Sequence, residues 1–132
     1  MNKLEAMEKP MKTVLIADDN RIMRNIVKNT FLILNIPCQF LEAENGNKAY
    51  HLLETNKVSM ILLDWNMPEM DGMEFLKKVR AMPNHKDLPI IMVTSEAAKY
   101  NVVEALQNGA TDYIAKPIRE KDFMEKISEI QF

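Results

Sequence analysis

Five residues of this 132-residue chain could do chemistry together if the fold brings them to one place. Asp18 and Asp19 stand side by side after the apolar run Val14 to Ala17, Asp64 follows Met60 to Leu63, Thr94 closes Ile90 to Val93, and Lys116 precedes Pro117. Crowded carboxylates repel one another, which raises a pKa or demands a cation. Hard oxygen donors with few neighbours suit Mg²⁺, which keeps several waters and commonly completes its octahedron with phosphate oxygens. The expected site is therefore a divalent cation among Asp18, Asp19 and Asp64, with an anionic group beside it met by Lys116 and Thr94.

The elements that must position these residues can be read from apolar spacing. Lys12 to Ala17 is β-branched and apolar, a first strand. From Arg21 to about Leu34, Met23, Ile26, Val27, Thr30, Phe31 and Leu34 recur as one helical face, and Asp18, Asp19 and Asn20 can cap that helix. Gln39 to Ala43 is a second strand, and a helix carrying Ala49, Leu52 and Leu53 starts in the loop Glu44 to Asn47. Met60 to Asp64 is strand three, too short for a lone helix and bounded by Pro68 and Gly72. Gly72 to about Ala81 is a helix with Met73, Leu76 and Val79 on one face, and Pro89 to Thr94 is strand four, with Pro in the tolerated first position. Ala97 to Gln107 is a weaker helix stopped by Asn108-Gly109, Thr111 to Ala115 is strand five, and Arg119 to Ile130 closes the chain with Phe123, Ile127 and Ile130 as a buried stripe.

This strict alternation predicts an α/β fold, a doubly wound five-stranded parallel sheet with five helices. Ligands of such sheets bind outside the carboxyl ends of the strands, where all five candidate residues would lie. Any one strand-terminal Asp is most often a helix cap. Capping explains neither Asp64, whose helix starts only at Gly72, nor a lysine before a proline at the same edge.

Composition narrows the function class. The length fits one domain, with residues 1–10 as a polar, flexible leader and 11–132 as the folded unit. Seventeen basic and 19 acidic residues leave a net charge of −2, no electrostatic footprint for nucleic acid. No apolar run approaches a membrane span, and the leader lacks a signal peptide's apolar core, so a cytoplasmic protein is expected. The single cysteine, Cys38, excludes an internal disulfide, and the two histidines, His51 and His85, form no zinc pattern. The 11 methionines fall mostly among apolar positions and read as core filling.

Four runs carry a resemblance: Ala17-Asp18-Asp19-Asn20, Asp64-Trp65-Asn66-Met67-Pro68 with Met70-Asp71-Gly72, Val93-Thr94-Ser95-Glu96, and Tyr113 with Lys116-Pro117. In order and spacing, from about Lys12 to Ile130, the chain resembles the receiver domains of bacterial two-component response regulators, closest to the single-domain chemotaxis members. The resemblance implies that a histidine kinase phosphorylates Asp64, that Asp19, Asp64 and the backbone carbonyl of Asn66 hold Mg²⁺ with Asp18 assisting, and that Lys116 neutralises phosphoryl charge. It further implies the flavodoxin-like strand order 2-1-3-4-5, that Thr94 moves to bond the new phosphoryl group, that Tyr113 turns inward behind it, and that the Lys116-Pro117 bond is cis. The domain would assist its own phosphorylation and dephosphorylation without being an enzyme.

No DNA-binding module is expected after the fifth helix, so the output should be contact with another protein, for such a regulator the flagellar motor switch. Ala98, Lys99, Leu106, Tyr113 and Lys126 are the candidate partner surface; a phosphatase is a further candidate partner, and a monomer is expected. A longer leader and Asn20-Arg21-Ile22 in place of smaller residues depart from the family pattern near the kinase-docking helix. A phosphorelay intermediate or a regulator of a non-motor partner are the alternatives. A Mg²⁺-dependent phosphohydrolase would carry a second Asp two residues beyond Asp64, where Asn66 stands. A nucleotide or flavin carrier would need backbone donors after strand one, where Asp18-Asp19 would repel an anion.

Overall fold

The computed structural model describes residues 11–95 and 99–130. The expected leader 1–10 and Ala98 lie outside the described residues. Strands β1 (Lys12–Ala17), β2 (Cys38–Ala43), β3 (Met60–Leu63), β4 (Ile90–Thr94) and β5 (Asp112–Ala115) form one parallel sheet in the order β2-β1-β3-β4-β5. Between and after them come α1 (Arg21–Ile33), α2 (Gly46–Thr55), α3 (Gly72–Arg80), α4 (Lys99–Gln107) and α5 (Glu120–Ser128), with a short 3₁₀ turn at Pro83–His85. This is the doubly wound topology expected from the alternation.

The period of two along the strands sorts the core into two layers. Leu15, Ala17, Ile61, Leu63, Ile90 and Met92 pack with Leu53, Phe75, Leu76, Val79 and Ala105 from α2, α3 and α4. Val14, Ile16, Met60, Leu62, Ile91 and Val93 face the other way, onto Val27 and Phe31 of α1 and Phe123 and Ile127 of α5. Phe31 sits at the centre of this second layer, edge-on to Phe40 and Phe123 at 5.7 and 5.4 Å between ring centroids. Both faces of β3 are covered, which is why Met60–Leu63 is apolar without alternation.

Boundaries differ from expectation by a residue or two where strand pairing or caps decide. Strand β3 ends at Leu63, yet the Asp64 amide still donates to the Ala17 carbonyl at 2.8 Å, so Asp64 stands one ladder step past the strand. Ile26 does not join the core; it is 39% exposed, while Val27, Thr30 and Phe31 are buried. Ile26 lies about 100° around the helix from Val27, at the edge of the buried face. Helix α1 is capped by Asn20 alone, whose side chain accepts from the amides of Ile22 and Met23. Capping is therefore no longer a reason for Asp18 or Asp19. Asp71 caps α3 by accepting from the Glu74 amide.

Candidate functional site

Parallel register places the ends of β1, β3, β4 and β5 along one edge. The Asp18 amide donates to Ala43 O at 2.9 Å, and the Lys116 amide donates to Thr94 O at 3.0 Å, so the ladder carries each residue just beyond its strand. Carboxylate oxygens of Asp18, Asp19 and Asp64 lie within 4.8 Å of one another. Asp18 and Asp64 are buried, Asp19 is exposed, and the ammonium of Lys116 reaches between the buried pair, 3.0 Å from Asp18 Oδ2 and 3.3 Å from Asp64 Oδ1. Thr94 closes β4 buried at the same edge.

Burial chiefly, and the Asp18 charge with it, push the Asp64 carboxyl up to about 6 against the opposing pull of Lys116 and the Asn66 amide. Burial alone would lower Lys116, but its hydrogen bond to Asp18 and the charges of Asp64 and Asp18 outweigh it and hold the ammonium above its ordinary range. With all three carboxylates ionised and Lys116 charged, the cluster carries a formal charge of −3 + 1 = −2. A divalent cation would cancel that charge. The donor set, hard oxygens only, is one that Mg²⁺ prefers. The residues present therefore fit the ion, with Asp19 open to solvent and Asp64 turned inward.

The loop after β3 is shaped around Asp64. Asn66, exposed, lies two residues beyond it and offers its amide to the Asp64 carboxylate. Trp65 packs half-buried against the core, and the Gly72 amide donates to Trp65 O at 2.8 Å, bending the loop back onto the strand end. The Lys116-Pro117 peptide bond is cis.

The expected partner-surface residues fall on α4, β5 and α5. Leu106 is 45% exposed, Lys99 opens α4, and Tyr113 is half-buried on β5. Lys126 is not a free surface charge. Its ammonium pairs with Asp112 Oδ1 at 2.9 Å and lies 4.8 Å from the centre of the Tyr113 ring. Two residues near the acidic cluster escaped the sequence reading. Arg24 donates from Nη1 to the backbone oxygen of Asp18 at 2.7 Å, and from Nε to Glu42 Oε1 at 3.0 Å. The only trace of them in the sequence is an arginine four residues after the Asn20 cap and an acid one residue before the end of β2.

Residues 14–128 match the family model described as "Response regulator receiver domain". The chain belongs to that family. This receiver domain is 45% identical over 118 residues to the "Chemotaxis protein CheY homolog" of Campylobacter jejuni, covering 89% of this chain and 90% of the relative. It is 42% identical over 118 residues to the "Chemotaxis protein CheY1" of Helicobacter pylori, covering 89% and 94%. Among solved structures it superposes on the Vibrio cholerae chemotaxis protein CheY4 with a TM-score of 0.82 at 29% identity, covering 92% of this receiver and all of that chain. Among its described residues, no helix is long and apolar enough to cross a membrane.

Proposed function

We propose that this receiver domain acts as a single-domain response regulator whose Asp64 takes a phosphoryl group from a histidine kinase. The observation that carries the reading is a buried carboxylate at the end of a central strand, with an ammonium 3.3 Å away and two more carboxylates close by. In the transfer, an Asp64 oxygen bonds to phosphorus as the phosphorus–nitrogen bond of the donor phosphohistidine breaks. The departing imidazole nitrogen keeps the bond's electron pair, and the ring, protonated at its other nitrogen, leaves as neutral imidazole. Mg²⁺, held by Asp19, Asp64 and the Asn66 carbonyl with Asp18 assisting, supplies charge neutralisation on the phosphoryl oxygens when bound.

Lys116 does the same from the protein side. Already paired to Asp64, its ammonium meets the new anionic oxygens without travelling, and positioning of this kind accounts for most catalysis of phosphoryl transfer. The Thr94 hydroxyl then bonds the phosphoryl group, and Tyr113 follows inward, a two-state shift driven by contacts present in only one state. The same groups assist hydrolysis of the aspartyl phosphate, so the domain supplies part of its own phosphorylation and dephosphorylation.

The relatives named for chemotaxis support the flagellar motor switch as output partner. It would be reached through Ala98, Lys99, Leu106, Tyr113 and Lys126, by a protein acting as a monomer in the cytoplasm. The test is labelling by a small phosphodonor such as acetyl phosphate with Mg²⁺, read by intact mass. One phosphoryl group is expected on the native chain and none on Asp64→Asn; label persisting in that variant overturns the assignment. Capture of the motor-switch protein only in the presence of phosphodonor tests the output.

A further inference from the structure

We infer that Arg24 is a positioning residue of the cation site, fixing the Asp18-Asp19 peptide so that the Asp19 carboxylate faces Asp64. This rests on the reading of the acidic cluster as a Mg²⁺ site. At the end of β1 the chain must leave the ladder and turn both acids toward the edge. The Ala17 oxygen is taken by the Asp64 amide, and the Asp18 amide by Ala43 O. The next acceptor, the Asp18 oxygen, takes its bond from the Arg24 guanidinium at 2.7 Å instead. A bond to that oxygen sets the plane of the peptide joining Asp18 to Asp19, because the peptide unit is rigid. It therefore sets the direction in which Asp19, the exposed acid, leaves the backbone.

The Asp18 side chain is held separately, by the Asn20 amide on Oδ1 at 2.8 Å and by Lys116 on Oδ2 at 3.0 Å. The Asp19 carboxylate is exposed, and it leaves the backbone in the direction that this peptide sets. Arg24 is itself braced. Its side chain is 13% exposed, and Glu42, on the neighbouring strand β2, accepts from both Arg24 and Lys28 at 3.0 Å. Burial raises the Glu42 carboxyl, but Lys28 and Arg24 outweigh it and hold the carboxyl below its ordinary value, so Glu42 stays ionised as the brace. The planar fork of arginine is what allows one side chain to serve a carbonyl and a carboxylate together; lysine, a point charge, cannot span both.

Two effects of Arg24 on a cation oppose each other, which makes the sign of the outcome decisive. As a positive charge near the site, Arg24 would weaken Mg²⁺ binding, and its removal would tighten it. As a positioning residue, its removal loosens the Asp18-Asp19 peptide and weakens binding. The experiment titrates MgCl₂ into the metal-free full chain, following Trp65 emission and heat, with thermal melting measured alongside. For Arg24→Met the dissociation constant is expected to rise about tenfold, the loss of one charge-assisted hydrogen bond. Arg24→Lys should recover part of this, and Glu42→Gln should shift binding less but in the same direction.

A dissociation constant for Arg24→Met that is unchanged or lower overturns the inference. If Arg24→Met melts too low to titrate, Arg24→Lys carries the test: a rise of about threefold supports positioning by the fork, and no rise overturns it. A shift in the amide resonance of Asp19 in the metal-free variants is also expected, which a purely electrostatic or global stability effect would not concentrate there. Absence of any Mg²⁺ response in the native chain would instead remove the cation-site reading, and this inference with it.

Discussion

The ammonium of Lys126 lies 4.8 Å from the centre of the Tyr113 ring while paired at 2.9 Å with Asp112, the residue just before that tyrosine. Asp112 Oδ1 also accepts from the Tyr113 amide at 2.8 Å, so one carboxylate oxygen ties the backbone of β5 to the cation that covers the ring. The proposed switch requires this ring to move, and the Lys126 contact opposes that movement by holding one position. Replacing Lys126 with Met should remove both ties at a stability cost within about 1 kcal/mol, as expected for a half-exposed pair and one cation–π contact. The ring should become more mobile, seen as changed Tyr113 aromatic resonances in the unphosphorylated chain. Asp112→Asn, which leaves Lys126 in place but uncommits it, should give a smaller change of the same kind. Unaltered Tyr113 resonances in both variants would show that the contact does not restrain the ring.

Asp64 makes folding costlier as pH rises. Its folded carboxyl is pushed up to about 6, chiefly by burial, above the value of about 4 for an unfolded Asp. Between those two values the folded state holds more protons than the unfolded state, so stability falls as pH rises through the window and the penalty is complete above it. Asp64→Asn removes the charge and should stabilise the metal-free domain near pH 7.5 by about 1–2 kcal/mol, allowing for screening by solvent. The gain should shrink as pH is lowered from 7 to 4.5 in a series of urea denaturations. Saturating Mg²⁺ should reverse the ranking by binding the native chain better. A gain that is independent of pH would place the effect elsewhere than in this carboxyl.

The sheet and its order were legible because each strand is either a run of apolar residues or ends in a turn signal, and because helical and strand periods alternate without ambiguity. Asp64 could be placed since a buried strand ending in an acid has few explanations. Ile26 misled because a helix with an apolar residue at the edge of its buried face has the same spacing as one with a wider face. The contacts Arg24 to Glu42 and Lys126 to Asp112 were not legible. They join residues 18 and 14 positions apart through long side chains, and a charged residue on a helix has no periodicity to distinguish a brace from a solvated lysine or arginine. Asn20 was one of three possible caps, and only the geometry of the turn selects it.

Glu69 adopts φ 68° in the loop between β3 and α3, a left-handed conformation that a glutamate adopts at a cost. Its carboxylate accepts from Asn47 Nδ2 at 3.2 Å on an exposed surface, which offsets little of that cost. Asn is among the residues that tolerate this region best. Glu69→Asn should therefore stabilise the domain by about 0.5 kcal/mol, read as a higher urea midpoint with an unchanged slope. Phosphodonor labelling should be unchanged, because the substitution relieves the loop without moving Asp64. A lower midpoint would mean that the bond to Asn47 outweighs the backbone term.

Gly72 couples the stability of the domain to the position of Asp64. A Cβ placed there would stand 2.2 Å from the Asp64 carbonyl oxygen and 2.9 Å from the Trp65 Cα, and both are backbone atoms with no flexible end to swing away. An alanine can be accommodated only by moving α3 off the strand end or by displacing the Asp64-Trp65 segment. Overpacking of this kind costs about 1–3 kcal/mol. Gly109→Ala makes the control. Its φ of +102° disfavours any side chain, and its Cβ would meet the Arg80 side chain at 2.9 Å, so it too should destabilise, but on the far side of the fold from Asp64. The two variants should lose comparable stability in denaturation. Gly72→Ala alone should slow phosphodonor labelling and shift Trp65 emission, because only there does the strain fall on the residues that carry the carboxylate. Equal labelling rates for both variants at matched fractions folded would show that the loop absorbs the added methyl without disturbing Asp64.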